Sequence, residues 1–394
     1  MAPPPAPPAP DAPALIAANT IPVTFTNGVL GGPGATFLER ETANSQFVLF
    51  GESRDEHDVP IFASALFRML RARHNFHHLA VEQDNLAIED VLAPQNRGNS
   101  KELGALAHEY PNLFEFASDE DLEFLAEVGR LERGPTAICG LEQATGPRRY
   151  LAELVRIAPA KARRDVSSLK AMADKLDSRV KYDVGFLSDP TVESRLAALQ
   201  KSWNPPVRSR ARELLLALAK SAEIFGYYRR AEAGENVGLY NNTVREGWIK
   251  RQFVRCYDQA ARSEPLPKFL FKFGANHMYH GMNSTSAFPI GNFAHEFAIA
   301  HSKEGYGIMA VTLSPGKGYD GVPEWLKALL PATPPTQSVL INLRPLRPMQ
   351  RTIRLSANVV DQESYRRVIH GYEALLIIPT SRAAGRTLSG LTTQ

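Results

Sequence analysis

Cysteine is nearly absent from this chain: Cys139 and Cys256 are the only two, with no CxxC pair and no cysteine/histidine spacing of the kind that holds zinc. That excludes a disulfide-rich scaffold and a zinc-built domain. Cys139 lies in the apolar run TAICGLE and Cys256 follows a helical stretch, so both are expected as buried thiols rather than as a disulfide. An unbroken apolar run of about 18 residues is also missing, so no membrane-spanning helix is expected. No block of one charge sign stands out: 45 basic residues face 42 acidic ones, interleaved as in RRAEAGE, for a formal charge of +3. Without a basic stripe, nucleic acid is not an expected partner.

Several catalytic templates are missing as well. There is no GxSxG nucleophile elbow, no GxxxxGK[ST] phosphate loop, no HExxH helix and no well-placed GxGxxG fingerprint. A standard serine hydrolase, a P-loop enzyme and a zincin are thereby set aside. No repeat of solenoid type occurs.

What is present is the composition of a globular protein with a substantial core, 44% hydrophobic and 22% charged over 394 residues. The opening MAPPPAPPAPDAPA has neither the basic nor the apolar region of a signal peptide and is expected to be a polyproline-type tether. A cytosolic leader and the remnant of a processed export signal both fit it, and the cytoplasm is the expectation carried forward over the periplasm or secretion.

Short β-branched and aromatic runs recur with helical pattern between them: QFVLFGE, HLAVEQD, TAICGLE, KFLFKFG, GIMAVTL, SVLINLR and EALLIIP. This is how an α/β fold reads, with a central, mostly parallel sheet, flanking helices and a helical insertion. In DVPIFASALFRMLRARH, Asp58 is placed to cap and Pro60 suits the first turn, while Ile61, Phe62, Ala65, Leu66, Met69 and Leu70 make one apolar stripe. A second helix is expected from Ser118, where SDED offers a cap. From about Arg148 to Arg262 the strand pattern stops and stretches such as RARELLLALAKSAEIFGYYRR take over. The expected organisation is a flexible leader over 1–20, a first half of the core over 21–147, the helical insertion over 148–262, either lid or brace, and a second half of the core over 263–394.

Several strand runs end in a polar residue at the same point of the strand-helix unit. The first ends at Glu52, the second at Glu82 with Gln83 and Asp84, and the third at Glu142 with Gln143; the fourth runs into Gly274-Ala275-Asn276-His277. Parallel strands present their carboxyl ends on one rim, where ligands are held, so these groups are expected to converge. Carboxylates gathered around a histidine either activate water without a metal or hold a divalent ion that acidifies its bound water.

Glu52, Glu82 and His277 are the leading catalytic candidates. His57 lies in SRDEHDVP, the first such loop, where a base is expected; Arg245, in NNTVREGWIKRQF, is placed to assist an oxyanion. Arg54, Glu142, Asn276 and His280 are expected to bind substrate, with a helix cap as the alternative for Glu142. His74, His77 and His78 precede the second strand at the opposite rim and are excluded. His295 and His301, on NFAHEFAIAH, are expected on a helix surface.

At these residues the sequence resembles the erythromycin esterase-like and ChaN/Tiki-like superfamily, α/β proteins with a GE motif closing the first strand. The matching pieces are LFGES at 49–53, LAVEQD at 79–84, CGLEQ at 139–143, REGWIKRQF at 245–253, KFGANH at 272–277 and INLRPLR at 341–347. The resemblance covers nearly the whole folded chain. It implies a hydrolase-like site without an obligatory serine, in which a His/Glu arrangement activates water against an ester or lactone of a small-molecule substrate. By position, Glu52 corresponds to the GE glutamate, Glu82 to the glutamate ending the second strand, Arg245 to the arginine of the insertion and His277 to the histidine of the late loop. ChaN-like relatives are associated with haem or iron uptake, which leaves a binding protein open, with His277, His280 or Tyr279 on iron. No resident cofactor is expected of the hydrolase, a divalent metal or haem being the alternatives. One departure stands out: the esterase pattern has histidine three residues after the GE glutamate, some relatives two after, and here those positions are Asp55 and Arg54. His57 offers an imidazole from a shifted loop.

Overall fold

The computed structural model describes residues 11–176, 185–235, 240–351 and 358–390. Its strands are β1 (Thr20–Pro22), β2 (Thr24–Thr26), β3 (Val29–Gly31), β4 (Ser45–Glu52), β5 (His78–Asp84), β6 (Ile138–Glu142), β7 (Phe269–Gly274), β8 (Glu304–Thr312), β9 (Val339–Asn342) and β10 (Ala374–Ile378). Every run singled out in the sequence forms a strand. Eight of the strands make one sheet in the order β1-β9-β10-β8-β4-β7-β5-β6, and β2 pairs with β3 as a separate hairpin. β4, β8 and β10 pair in parallel, as do β5 and β6, whereas β9 runs antiparallel to both β10 and β1. Every residue of β4, β5, β6 and β10 is buried, as expected of strands with helices over both faces. The α/β class and its mostly parallel sheet are therefore as the sequence indicates. Contacts divide the chain into two compact units, which are taken in turn.

The first unit holds the chain up to Phe76 together with Leu270–Ser284 and Phe288–Ala383. Residues 1–10 of the expected tether lie outside the described residues, but Ala12–Ala18 is a helix with Ile16 buried, and β1 follows it. The helix Asp58–His74 appears where its apolar stripe places it, with Phe62 stacked on Phe50 of β4 at 5.7 Å. Its start differs from the expectation. The N-cap position is His57, held in helical geometry by its N–H bond to the Arg382 carbonyl, and Asp58 lies inside the helix and binds His57 Nδ1 at 2.9 Å instead of capping.

The second unit holds His77–Phe269 and two short later segments. Ser118 caps Asp119–Leu131 as expected, accepting from the Asp121 N–H. From residue 147 to 260 the described elements are all helices: Pro147–Ile157, Ala160–Leu176, Gly185–Ser188, Val192–Trp203, Arg210–Glu232 and Tyr240–Ala260. The two cysteines overturn an expectation. Cys139 of β6 and Cys256 of the helix Tyr240–Ala260 form a disulfide, with Cα atoms 6.3 Å apart. Burial was read correctly for Cys139, but that helix packs directly on β6 and sets the second thiol against the first.

A crosslink spanning 117 residues restricts the unfolded chain far more than the folded one. Replacing both cysteines with alanine is expected to lower stability by about 2–4 kcal/mol, seen as an earlier thermal midpoint. Thiol labelling of unreduced, denatured wild type is expected to modify neither cysteine; labelling of both would show an open pair.

Candidate functional site

In the first unit, β4 delivers Glu52, which is buried, and its Oε1 accepts from Lys272 Nζ at 2.7 Å. Lys272 occupies the middle of β7, where Phe269, Phe271 and Phe273 alternate with it along the strand. A lysine buried at this depth requires an anionic partner, and Glu52 is that partner. Gly51 shows why the residue before Glu52 has no side chain. A Cβ there would lie 3.0 Å from Ala275 Cα and 2.6 Å from the Tyr372 hydroxyl. The end of β4 thus lies directly against the turn Ala275–His277 that follows β7.

Tyr372 fixes that turn, its hydroxyl donating to the Ala275 carbonyl. Burial, reinforced by Tyr279 and Glu373, pushes this hydroxyl well above the usual tyrosine range, so it stays a donor. His277 is buried beside the Phe273 ring, centroids 6.2 Å apart. Asn276 is committed to its own loop, its Oδ1 accepting from the Ser284 N–H at 3.2 Å and from the Ser284 hydroxyl.

The remaining first-unit candidates lie elsewhere in it. His57 has both ring nitrogens engaged: Nδ1 meets Asp58 and Nε2 lies 2.6 Å from an Arg382 N–H donor. Arg54 is half-exposed, next to Asp55 in left-handed backbone at φ 63°. His280 stacks on His295 at 4.3 Å, in a cavity that also takes in Glu304 and Gly305, the first residues of β8. It therefore stands by the amino end of β8, not at a strand's carboxyl end. His295 corrects the sequence reading: it is buried, its Nδ1 pressed where a Cβ on Gly305 would lie at 2.5 Å. Burial and the charges of His280, Arg344 and Arg347 push its imidazole down to about 3. His301 closes its helix by bonding the Phe297 carbonyl at 3.0 Å.

In the second unit, Glu82 and Glu142 end the adjacent strands β5 and β6, both buried. Arg245, from the helix Tyr240–Ala260, binds both: Nε to Glu142 Oε2 at 2.9 Å, Nη2 to the same oxygen, and Nη2 to Glu82 Oε1 at 2.9 Å. Burial opposes the guanidinium charge, but Glu142 and Glu82 overcome it and hold Arg245 firmly protonated. Its Nη1 has no hydrogen-bond partner among the described residues. Trp248, one turn on, donates its indole N–H to the Glu142 carbonyl at 3.2 Å. Glu142 does not cap the next helix, whose N-cap is Gly146. Behind these groups Asp84 caps Asn85–Leu92 and accepts the Tyr150 hydroxyl on both carboxylate oxygens, at 2.7 and 2.8 Å.

Carboxylate oxygens of Glu82 and Glu142 lie within 4.8 Å of one another, a separation that suits a hard divalent ion. Arg245 already bridges the two, however, and supplies the positive charge a metal would bring. Burial pushes the Tyr279 hydroxyl up to about 12.

Sequence reasoning missed Lys272, Tyr150 and Trp248. Lys272 left a signal, a lone charge inside an aromatic strand. Tyr150 and Trp248 left none, since a ring on an amphipathic helix ordinarily reads as core.

An α/β protein with a mostly parallel sheet and buried acidic groups at the strand ends is the class these features define. The comparisons agree with it. No protein-family model matches the chain, and no curated protein matches it. Among solved structures, a histidine-to-asparagine mutant of the erythromycin esterase EreC in its open conformation is similar, with a TM-score of 0.60 and 14% identity, covering 93% of this chain and 98% of that one. A succinoglycan biosynthesis protein follows at TM-score 0.57 and 12% identity, covering 95% of this chain and 98% of its own. A Bacillus cereus protein gives 0.55 at 12% identity, with the same coverages of 95% and 98%. The chain thus shares its fold with these structures over almost the full length of each.

Asp84 yields a pH prediction. Burial, only partly offset by the hydrogen bonds from Tyr150 and Ala87, pushes its carboxyl from 3.8 up to about 7. The folded chain therefore keeps a proton there that the unfolded chain has released. Between about pH 4 and 7 the native state binds more protons, so stability falls as pH rises through that window and the loss is complete above it. Asp84→Asn retains an oxygen for Ala87 and Tyr150 but cannot ionise. Urea unfolding from pH 4.5 to 8 is expected to show a loss of a few kcal/mol in wild type that is absent in the variant; parallel profiles would refute it.

Proposed function

We propose that the protein is a hydrolase that cleaves an ester or lactone bond of a small molecule, with water activated by a histidine/glutamate arrangement. The observation that carries this reading is Arg245. Two buried carboxylates grip its Nε and Nη2 and leave Nη1 without an acceptor among the described residues, an orientation suited to donating to an oxygen that becomes negative during reaction. Likeness over nearly the full length to a protein described as an erythromycin esterase supports the same chemistry.

In this mechanism His277 takes a proton from water as the water oxygen attacks the carbonyl carbon. Collapse of the tetrahedral intermediate breaks the bond to the leaving alcohol, which receives the proton from His277. Glu52, held by Lys272, provides negative charge that favours the transient imidazolium. His277 is preferred to His57 because the Nε2 lone pair of His57 is met by the Arg382 N–H.

Assay against a panel of esters and lactones is expected to reveal turnover. His277→Ala is expected to lower kcat/KM by about 10²–10⁴ with little change in thermal midpoint. Arg245→Lys, which keeps the charge but not the forked geometry, is expected to lower kcat more than it raises KM. Turnover undiminished in His277→Ala would remove the proposed base.

A further inference from the structure

Within the second unit a cavity of about 460 Å³ opens beside Glu142 and Asp84, walled by the helices Arg210–Glu232 and Tyr240–Ala260. Part of its wall is apolar: Trp248 lines it, its indole fixed by the bond to the Glu142 carbonyl, and Leu216 lines it at 44% exposure. Together they give the cavity an apolar side on which the body of a ligand can rest.

The rest of the wall is basic. Arg208, Arg212, Arg255 and Lys220 all reach it. Lys220 is neutralised by Glu223. The acidic groups of the wall are also taken: Glu213 pairs with Arg210, Glu142 with Arg245, and Asp84 accepts Tyr150. Arg208, Arg212 and Arg255 have no carboxylate partner among the described residues; Arg255 makes only a long contact to Gln252 at 3.5 Å. Three guanidinium groups, none paired with a carboxylate among the described residues, thus share one concavity with a fixed indole. Guanidinium forks match the planar oxygens of carboxylate, sulfate and phosphate.

We propose that this cavity binds the non-reacting part of the substrate, and that this part is an amphipathic anion: an apolar or planar body on Trp248 and Leu216 with a carboxylate, sulfate or phosphate among Arg208, Arg212 and Arg255. This names a substrate class for the hydrolase proposed above and rests on that reading for the reaction, though not for the binding.

Two measurements separate the binding from the reaction. In calorimetry at low salt, 2-naphthalenesulfonate is expected to bind wild type at least about fivefold more tightly than the neutral 2-naphthalenesulfonamide. The Arg212→Gln/Arg255→Gln variant is expected to abolish that preference, with circular dichroism confirming its fold. In turnover, naphthyl hemisuccinate is expected to exceed naphthyl butyrate in kcat/KM, with the ratio falling towards one in the double variant. Sulfonate and sulfonamide binding alike, or a ratio the substitutions leave unchanged, overturns the anion assignment while ester hydrolysis stands. Sulfonate binding that is lost in the variant, in a protein that turns over neither ester, supports the cavity and overturns the hydrolase reading.

Discussion

A single guanidinium organises the second unit. Glu82 and Glu142 end neighbouring parallel strands, and two carboxylates buried side by side repel each other strongly in a medium that screens little. Arg245 turns that repulsion into attraction by reaching both from one helix. Planarity matters here, since Nε and Nη2 project in the same plane and meet oxygens on two different strands, which a lysine's single ammonium does not do. The same helix is fastened to β6 a second time through Cys256 and Cys139, and Trp248 adds a bond to the strand end. Local helix propensity therefore has little to do with where this helix sits. Its position is set by charge, a covalent link and packing together.

The first unit meets a related constraint differently. Glu52 also ends a buried strand, but its counter-ion comes from the neighbouring strand rather than from a helix, and Lys272 is itself buried where it reaches the carboxylate. The arrangement leaves no spare volume, as Gly51 shows: the Ala275 backbone and the Tyr372 hydroxyl already fill the place of a side chain. Tyr372 in turn holds the turn bearing His277. The glycine of the GE pair is thus a packing requirement, and the glutamate after it an electrostatic one.

Strands buried on both faces are nearly continuous apolar runs, so their existence was legible in the sequence, as were the acidic residues that close them. What the sequence hides is partnership. That Glu52 belongs with Lys272, Glu82 and Glu142 with Arg245, and Cys139 with Cys256 depends on chain segments brought together over long separations, about which local pattern is silent. The buried His295 was misread because Gly305, at the start of the strand that follows its helix, makes the room for its ring. The β2-β3 hairpin had a local signal that went unused. Asn27-Gly28, both with positive φ at 52° and 72°, is the turn pair that a two-residue hairpin favours, but its strands are short and carry little apolar pattern.

Whether these glutamates serve structure or chemistry can be weighed on energetic grounds. Removing charges from water is costly, and well-packed apolar residues of similar volume commonly stabilise a core as well as a buried ion pair does. A fold needing only stability has no reason to set acidic groups at the ends of β4, β5 and β6 and then supply a buried lysine and a forked arginine to neutralise them. In the second unit one guanidinium meets carboxylates from two strands at once, so the positions of both strand ends depend on a single planar group.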